Sequence, residues 1–163
     1  MDFLLWLEQS GFSTWVREGG STWGYPFILF MHTLGLGTLA GVSGAVNLRV
    51  LGFAPNIPLA PLKRLFPLMW LAFAVTAVSG TALLVADATT KLASPVFYVK
   101  MVFVALAVVN LQLIKRQVFT DRAGDMPLAP NGRLLAVTSL LLWMAATTSG
   151  RLMAYLGPVS GLD

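Results

Sequence analysis

In 163 residues, eleven Lys or Arg stand against seven Asp or Glu, a formal net charge of +4 with His32 neutral. Only 11% of the chain is charged, 56% is hydrophobic and the mean hydropathy is +0.75, whereas a soluble domain carries roughly 25% charge. These proportions exclude a disordered chain and a soluble enzyme and point to a polytopic membrane protein in a lipid bilayer.

Residues 2–17 carry Phe3, Leu4, Trp6, Leu7, Phe12, Trp15 and Val16 among Asp2, Glu8, Gln9 and Arg17. The stretch is too short and too polar to span, and reads as one interfacial helix. The start lacks the basic region and the small-residue cleavage site of a secretory signal. Gly19, Gly20 and Ser21 break the helix. Four apolar runs follow, at about 25–51, 65–86, 96–119 and 134–156. Each is long enough to cross about 30 Å of hydrocarbon as a helix. Pro26 suits a first turn, and Pro67 and Pro95 lie near the starts of the second and third runs. The loops fall at 52–61 and 121–132. The expected architecture is a single all-α domain, an integral membrane four-helix bundle with an N-terminal amphipathic helix.

Arg49, Lys63, Arg64, Lys115, Arg116, Arg122 and Arg133 border the two loops after the first and third runs, and Arg17, Lys91, Lys100 and Arg151 lie opposite. The excess of bases makes the first group cytoplasmic. With four crossings, both termini are then periplasmic or extracellular. Trp6, Trp15, Trp23 and Tyr25 belong to an aromatic belt on that outer side, and Asn47, Arg49, Lys115 and Arg116 mark the inner interface.

The absence of cysteine removes disulfides and thiolate sites, and a single histidine excludes a multi-histidine centre within one chain. The bases form no nucleic-acid motif, so nucleic acid is not a partner. At about 100° per residue, Gly35, Leu36, Leu39, Ser43 and Asn47 stay on the His32 side of the first run. Gly37, Gly41 and Gly44 lie on roughly the other side. That glycine stripe suits close helix packing, within the chain or across a homodimer. On the second run Thr76, Ser79, Gly80, Leu83 and Asp87 share a face, and on the fourth Thr147 and Arg151 do. Asn110 and Gln112 on the third read as ties between helices.

His32 lies about 10 Å along its helix from Tyr25 at 1.5 Å per residue. His32, Asp87, Lys100 and Arg151 thus reach one depth in the outer half from four different helices. Ionisable groups at that depth need pairing, hydration or a ligand. One expectation is a haem b site, with His32 as metal ligand, Lys100 and Arg151 toward the propionates, and Asp87 pairing with a base or orienting His32. The second axial ligand would be Met31, Met69, Met101, Met144, Met153, water, or His32 of a second protomer. Electron transfer or a redox accessory role with a membrane redox partner follows from that. The other expectation is a non-enzymatic anchor or partner-binding subunit without cofactor. A copper or transport path ranks below both, because one histidine and scattered methionines make a poor relay.

The pattern Tyr25-Pro26 through His32-Thr33-Leu34-Gly35, then Asn47-Leu48-Arg49-Val50-Leu51-Gly52, resembles a family of small bacterial four-span membrane proteins of unknown function. Leu65-Phe66-Pro67 with Trp70, Ser79-Gly80, Pro95-Val96-Phe97-Tyr98-Val99-Lys100 and Gly150-Arg151-Leu152-Met153-Ala154-Tyr155 carry the same resemblance. It covers nearly the whole chain and implies a fold and a membrane location. More distantly, His32 and Lys100 are similar to a histidine and a lysine of the superfamily of the haem-binding membrane protoporphyrinogen oxidase and the copper-resistance D-type proteins. Oxidase-like members carry a further histidine beyond that lysine, where this chain has Asn110.

Overall fold

A computed structural model of the chain describes residues 2–18, 23–119 and 130–155, all of them in helices and short connections. The break read at Gly19, Gly20 and Ser21 and most of the loop read at 121–132, with Arg122, lie outside the described residues. So do residues 156–163, and with them the end of the fourth apolar run.

The N-terminal segment is two short helices, α1 (Asp2–Glu8) and α2 (Gly11–Glu18), where one helix was expected. The turn between them lets Glu8 and Arg17 meet at 3.0 Å. Next come α3 (Tyr25–Leu51), α4 (Leu65–Ala86), α5 (Ala88–Ala93), α6 (Pro95–Val118) and α7 (Pro130–Tyr155). Pro26 opens α3, where its missing N–H costs nothing and its fixed φ is already helical. Gly52 closes α3 at φ 105°, with Gly52 N–H donating to Arg49 O (3.1 Å) and Phe53 N–H to Leu48 O (3.0 Å). That pair of bonds satisfies the last carbonyls and needs a left-handed residue, hence glycine. Arg49 then holds the following turn, donating to Pro55 O at 3.1 Å and to Ile57 O. Its work is local as well as interfacial.

Three helical stretches, Tyr25–Leu51, Ala60–Ala86 and Pro95–Val118, are long and apolar enough to cross a membrane. The chain is therefore an all-helical, multi-pass integral membrane protein. The expected count of four is corrected to three among the described residues. Helix α7 has the length, but Thr138, Ser139, Thr147, Thr148 and Ser149, with Arg133 and Arg151 toward its ends, dilute its apolar run. The polar side chains that lower its hydropathy include Ser139 and Ser149, which are buried against other helices.

Helix α3 packs most extensively on α4, and α6 on α7, with a smaller α3–α7 contact joining the two pairs. The core is lopsided. Leu39, Val46 and Val50 of α3, Phe66, Met69 and Ala72 of α4, Ala107, Leu111, Ile114 and Val118 of α6, and Ala136 and Trp143 of α7 form one cluster. Most lie in the half away from α5, with Leu39, Ala107 and Trp143 near mid-height. Phe66 and Phe119 meet there edge to face, ring centroids 5.2 Å apart. Within this core Asn47 donates to Ser43 Oγ (3.3 Å) and Ser139 Oγ (2.8 Å). Asn47 is thus a buried link between α3 and α7, not an interface residue. Asn110 is buried with its Oδ1 unpartnered, and Gln112 is exposed, so neither ties helices as expected.

The glycines divide differently from the sequence reading. A Cβ at Gly37, Gly41 or Gly44 would meet nothing within 4 Å, so this stripe does not pack helices among the described residues. Gly35 does: a Cβ there would fall 2.5 Å from Thr76 Oγ1 and 3.0 Å from Ala72 O.

Candidate functional site at the α5 end of the bundle

At the α5 end the core gives way to small and polar residues. Gly35, Ser79 and Ser149 are buried there, and Thr76, Gly80 and Gly150 are half-buried. His32 enters this region from α3. Its Nδ1 lies 3.1 Å from Thr76 O and 3.2 Å from Ser79 Oγ. A carbonyl only accepts, so Nδ1 carries the proton and Nε2 keeps its lone pair. Ser79 Oγ in turn donates to Val75 O at 2.6 Å. No hydrogen bond among the described residues engages Nε2. Gly80 makes room for the ring: a Cβ there would lie 3.0 Å from His32 Cε1 and 3.3 Å from Nδ1. The expected face of Thr76, Ser79 and Gly80 is the one that receives His32.

Lys100 comes from α6 and lies along Gly150 of α7, where a Cβ would sit 3.5 Å from its Cε and 3.6 Å from its Nζ. Gly80 thus cradles the imidazole, whereas at Gly150 a Cβ would make only ordinary contact with the lysine stem. Asp87 pairs with neither His32, Lys100 nor Arg151 among the described residues. Its carboxylate lies 3.8 Å from Lys91 Nζ, which also donates to Leu83 O at 2.8 Å. Burial lowers the Lys91 ammonium from its ordinary value, and Asp87 pulls it back up. Lys91 was counted only as an outer-side charge in the sequence. Its i,i+4 spacing from Asp87 is the signal that marks the pair. Arg151 is exposed and without an ion pair among the described residues. His32 lies against Gly80, and Lys91 reaches Leu83 O within one turn of it on α4. The observed cluster is therefore His32, Lys91, Lys100 and Asp87.

The N-terminal hairpin docks beside this cluster. Glu8 Oε2 accepts from Thr89 Oγ1 at 2.6 Å and from Thr89 N–H at 3.4 Å, and Glu8 Oε1 accepts from Arg17 at 3.0 Å. Ser13 is fully buried, with Oγ 3.5 Å from Val85 O and Ala86 O. The Thr89 hydroxyl, aided by the Thr89 N–H and the Arg17 guanidinium, holds the Glu8 carboxyl below its ordinary 4.5 against the opposing push of burial. A depressed folded-state value gives stability that is complete above the ordinary value and lost as pH falls through the depressed one. Acid below pH 4.5 will loosen α1 and α2 from α5, read as a change in tryptophan fluorescence, since Trp6 and Trp15 ride on this hairpin. Glu8→Gln will flatten that transition; an unchanged transition would show that Glu8 is not its source.

For haem, the residues present fit one axial ligand, the oriented His32, and one propionate cation, Lys100. Met69 is sealed in the core at the other end, and Met101 and Met144 are exposed. Among the described residues no group of three or more His, Cys, Asp and Glu could hold a metal ion. Two shallow surface grooves among the described residues lie elsewhere. A shallow groove of about 460 Å³ is lined by Phe30, Thr33, Leu34, Gly37 and Thr38 on α3.

The resemblance to a four-span family, and to the haem-binding oxidase superfamily, is set aside because among the described residues three helices rather than four are long and apolar enough to span. No family model, curated protein or solved structure matches the chain.

Proposed function

We propose that this membrane protein binds haem b at the α5 end, with His32 as an axial ligand through Nε2, in an electron-transfer or redox accessory role. One observation supports the reading: the Thr76 carbonyl takes the Nδ1 proton and leaves Nε2 unengaged. Metal-ligating histidines are held in this way, because the second-shell bond fixes both tautomer and ring orientation. Gly80 allows the ring to lie against α4. Lys100 is the cation toward a propionate, and Lys91 stands behind it, a role expected of Arg151. Haem, when bound, supplies a one-electron couple; the chain orients the imidazole and supplies the neutralising charge. The bases of the loops after α3 and α6 favour those loops as cytoplasmic, in a bacterial cytoplasmic membrane.

The test is the absorption spectrum of protein purified from cells supplied with haem. A Soret band is expected, and His32→Ala should remove it. No band in the wild type ends the haem reading, and a band unchanged in the variant ends the ligand assignment.

A second reading is a non-enzymatic anchor or partner-binding subunit, acting as a homodimer or with a membrane redox partner. It is favoured by the outward face of α3. Thr33, Gly37, Gly41 and Ala45 recur every four residues and are all exposed. Small residues at that spacing let a partner helix approach closely in lipid. A stable complex of purified protein without cofactor would favour this reading.

A further inference from the structure

Lys100 is a half-buried ammonium inside a membrane-length helix, five residues beyond Pro95, so about 7.5 Å along α6 at 1.5 Å per residue. A cation at that depth is costly unless it is paired or hydrated. The carboxylates described at this end are already committed, Asp87 to Lys91, and Glu8 to Thr89 and Arg17. No ion pair or hydrogen bond among the described residues engages Lys100. The side chain lies along Gly150 of α7. Of the two ammonium groups, Lys91 has the carboxylate and Lys100 has none, beside an imidazole whose Nδ1–H donates to a backbone carbonyl.

We propose that the α5 end of the bundle is a binding site for an oxoanion, the phosphate of an anionic phospholipid, with Lys100 as the principal contact and Lys91 as the second cation. The site goes beyond the haem reading and does not depend on iron: any lipid-soluble oxoanion, a propionate included, meets the same charge. A lipid source follows from the position of Lys100. It sits in an apolar helix near its end, within reach of the headgroup layer, where an ammonium on a flexible stem meets phosphate. The stem lies beside Gly150, so the ammonium sits across α6 and α7.

The full-length protein in detergent is incubated separately with phosphatidylglycerol, phosphatidylcholine and inorganic phosphate, and retained adducts are read by native mass spectrometry. Phosphatidylglycerol should be retained in preference to phosphatidylcholine. Lys100→Met should lower that retention about tenfold, the scale of one charge-assisted contact, and Lys100→Arg should keep most of it. Lys91→Met, at a position outside the spans, should lower it less, and serves as the second variant if Lys100→Met does not fold. Equal retention of the two lipids, with phosphate bound in a Lys100-dependent way, overturns the lipid source. Retention that is indifferent to both lysines overturns the site.

Discussion

Replacing Gly35 with leucine will part α4 from α3, while the same replacement at Gly41 will leave the bundle assembled. Both glycines lie on α3, six residues apart, and hydropathy does not distinguish them. At Gly35 even the first added carbon would stand 2.5 Å from Thr76 Oγ1, 3.0 Å from Ala72 O and 3.2 Å from Thr76 N. Two of those atoms are helix backbone, and the hydroxyl is already donating to Ala72 O at 2.8 Å. Nothing nearby can yield without moving α4. Overpacking of this kind costs about 1–3 kcal/mol for a few extra methylenes and more where backbone must shift. Thr76 and Ala72 also lie within one or two turns of the residues that receive His32, so the site should be lost with the packing. Thermal unfolding in detergent should show a large fall in Tm for Gly35→Leu and none for Gly41→Leu. A Gly35→Leu protein that melts with the wild type would refute the close approach. Where α3 serves as a partner surface, Gly41→Leu would instead abolish the association while leaving Tm unchanged.

Truncating Phe66 to alanine should be the most damaging single loss in the core. The side chain is 1% exposed and packs edge to face on Phe119 at 5.2 Å. Helices α4 and α6 make little direct backbone contact, so large side chains at the end away from α5 bridge them. Phe-to-Ala changes in cores cost about 3–5 kcal/mol. In lipid the lost term is chiefly dispersion across the void rather than exclusion from water. Leu134→Ala, at a position 67% exposed, is the control; surface truncations stay within about 0.5 kcal/mol. Detergent unfolding curves for the two variants should differ accordingly, and similar curves would mean that the Phe66–Phe119 contact carries little of the stability.

Much of the fold was legible along the chain. The runs at 25–51 and 65–86 coincide with α3 and α4, and that at 96–119 is α6 displaced by one residue at each end. Pro26 and Gly52 mark the two ends of α3 and Pro95 the start of α6, and their backbone restrictions act locally. The common depth expected of His32, Asp87, Lys100 and Arg151 comes from rise per residue, which converts sequence position into height. The fourth run shows where such reading fails. It forms a helix, Pro130–Tyr155, yet its serines and threonines keep it from qualifying as a span by apolarity. Ser139 is fully buried, held by Asn47, and Thr147 Oγ1 donates back to Trp143 O at 2.9 Å. Hydropathy scores a hydroxyl as polar whether it faces lipid or another helix.

The low charge fraction and the long apolar runs by themselves determined an all-helical membrane protein and the short list of ionisable residues within it. Only the tertiary structure decided who meets whom. It gave Asp87 to Lys91, set Lys100 against Gly150, buried Asn47 against Ser139, and turned Gly37 and Gly41 outward while Gly35 took the contact with α4. Hydropathy is a sum over one helix, and depth is a count along it. Partnership depends on how each helix is rotated about its axis and in what register it meets its neighbour, and those angles are settled by side chains from other segments.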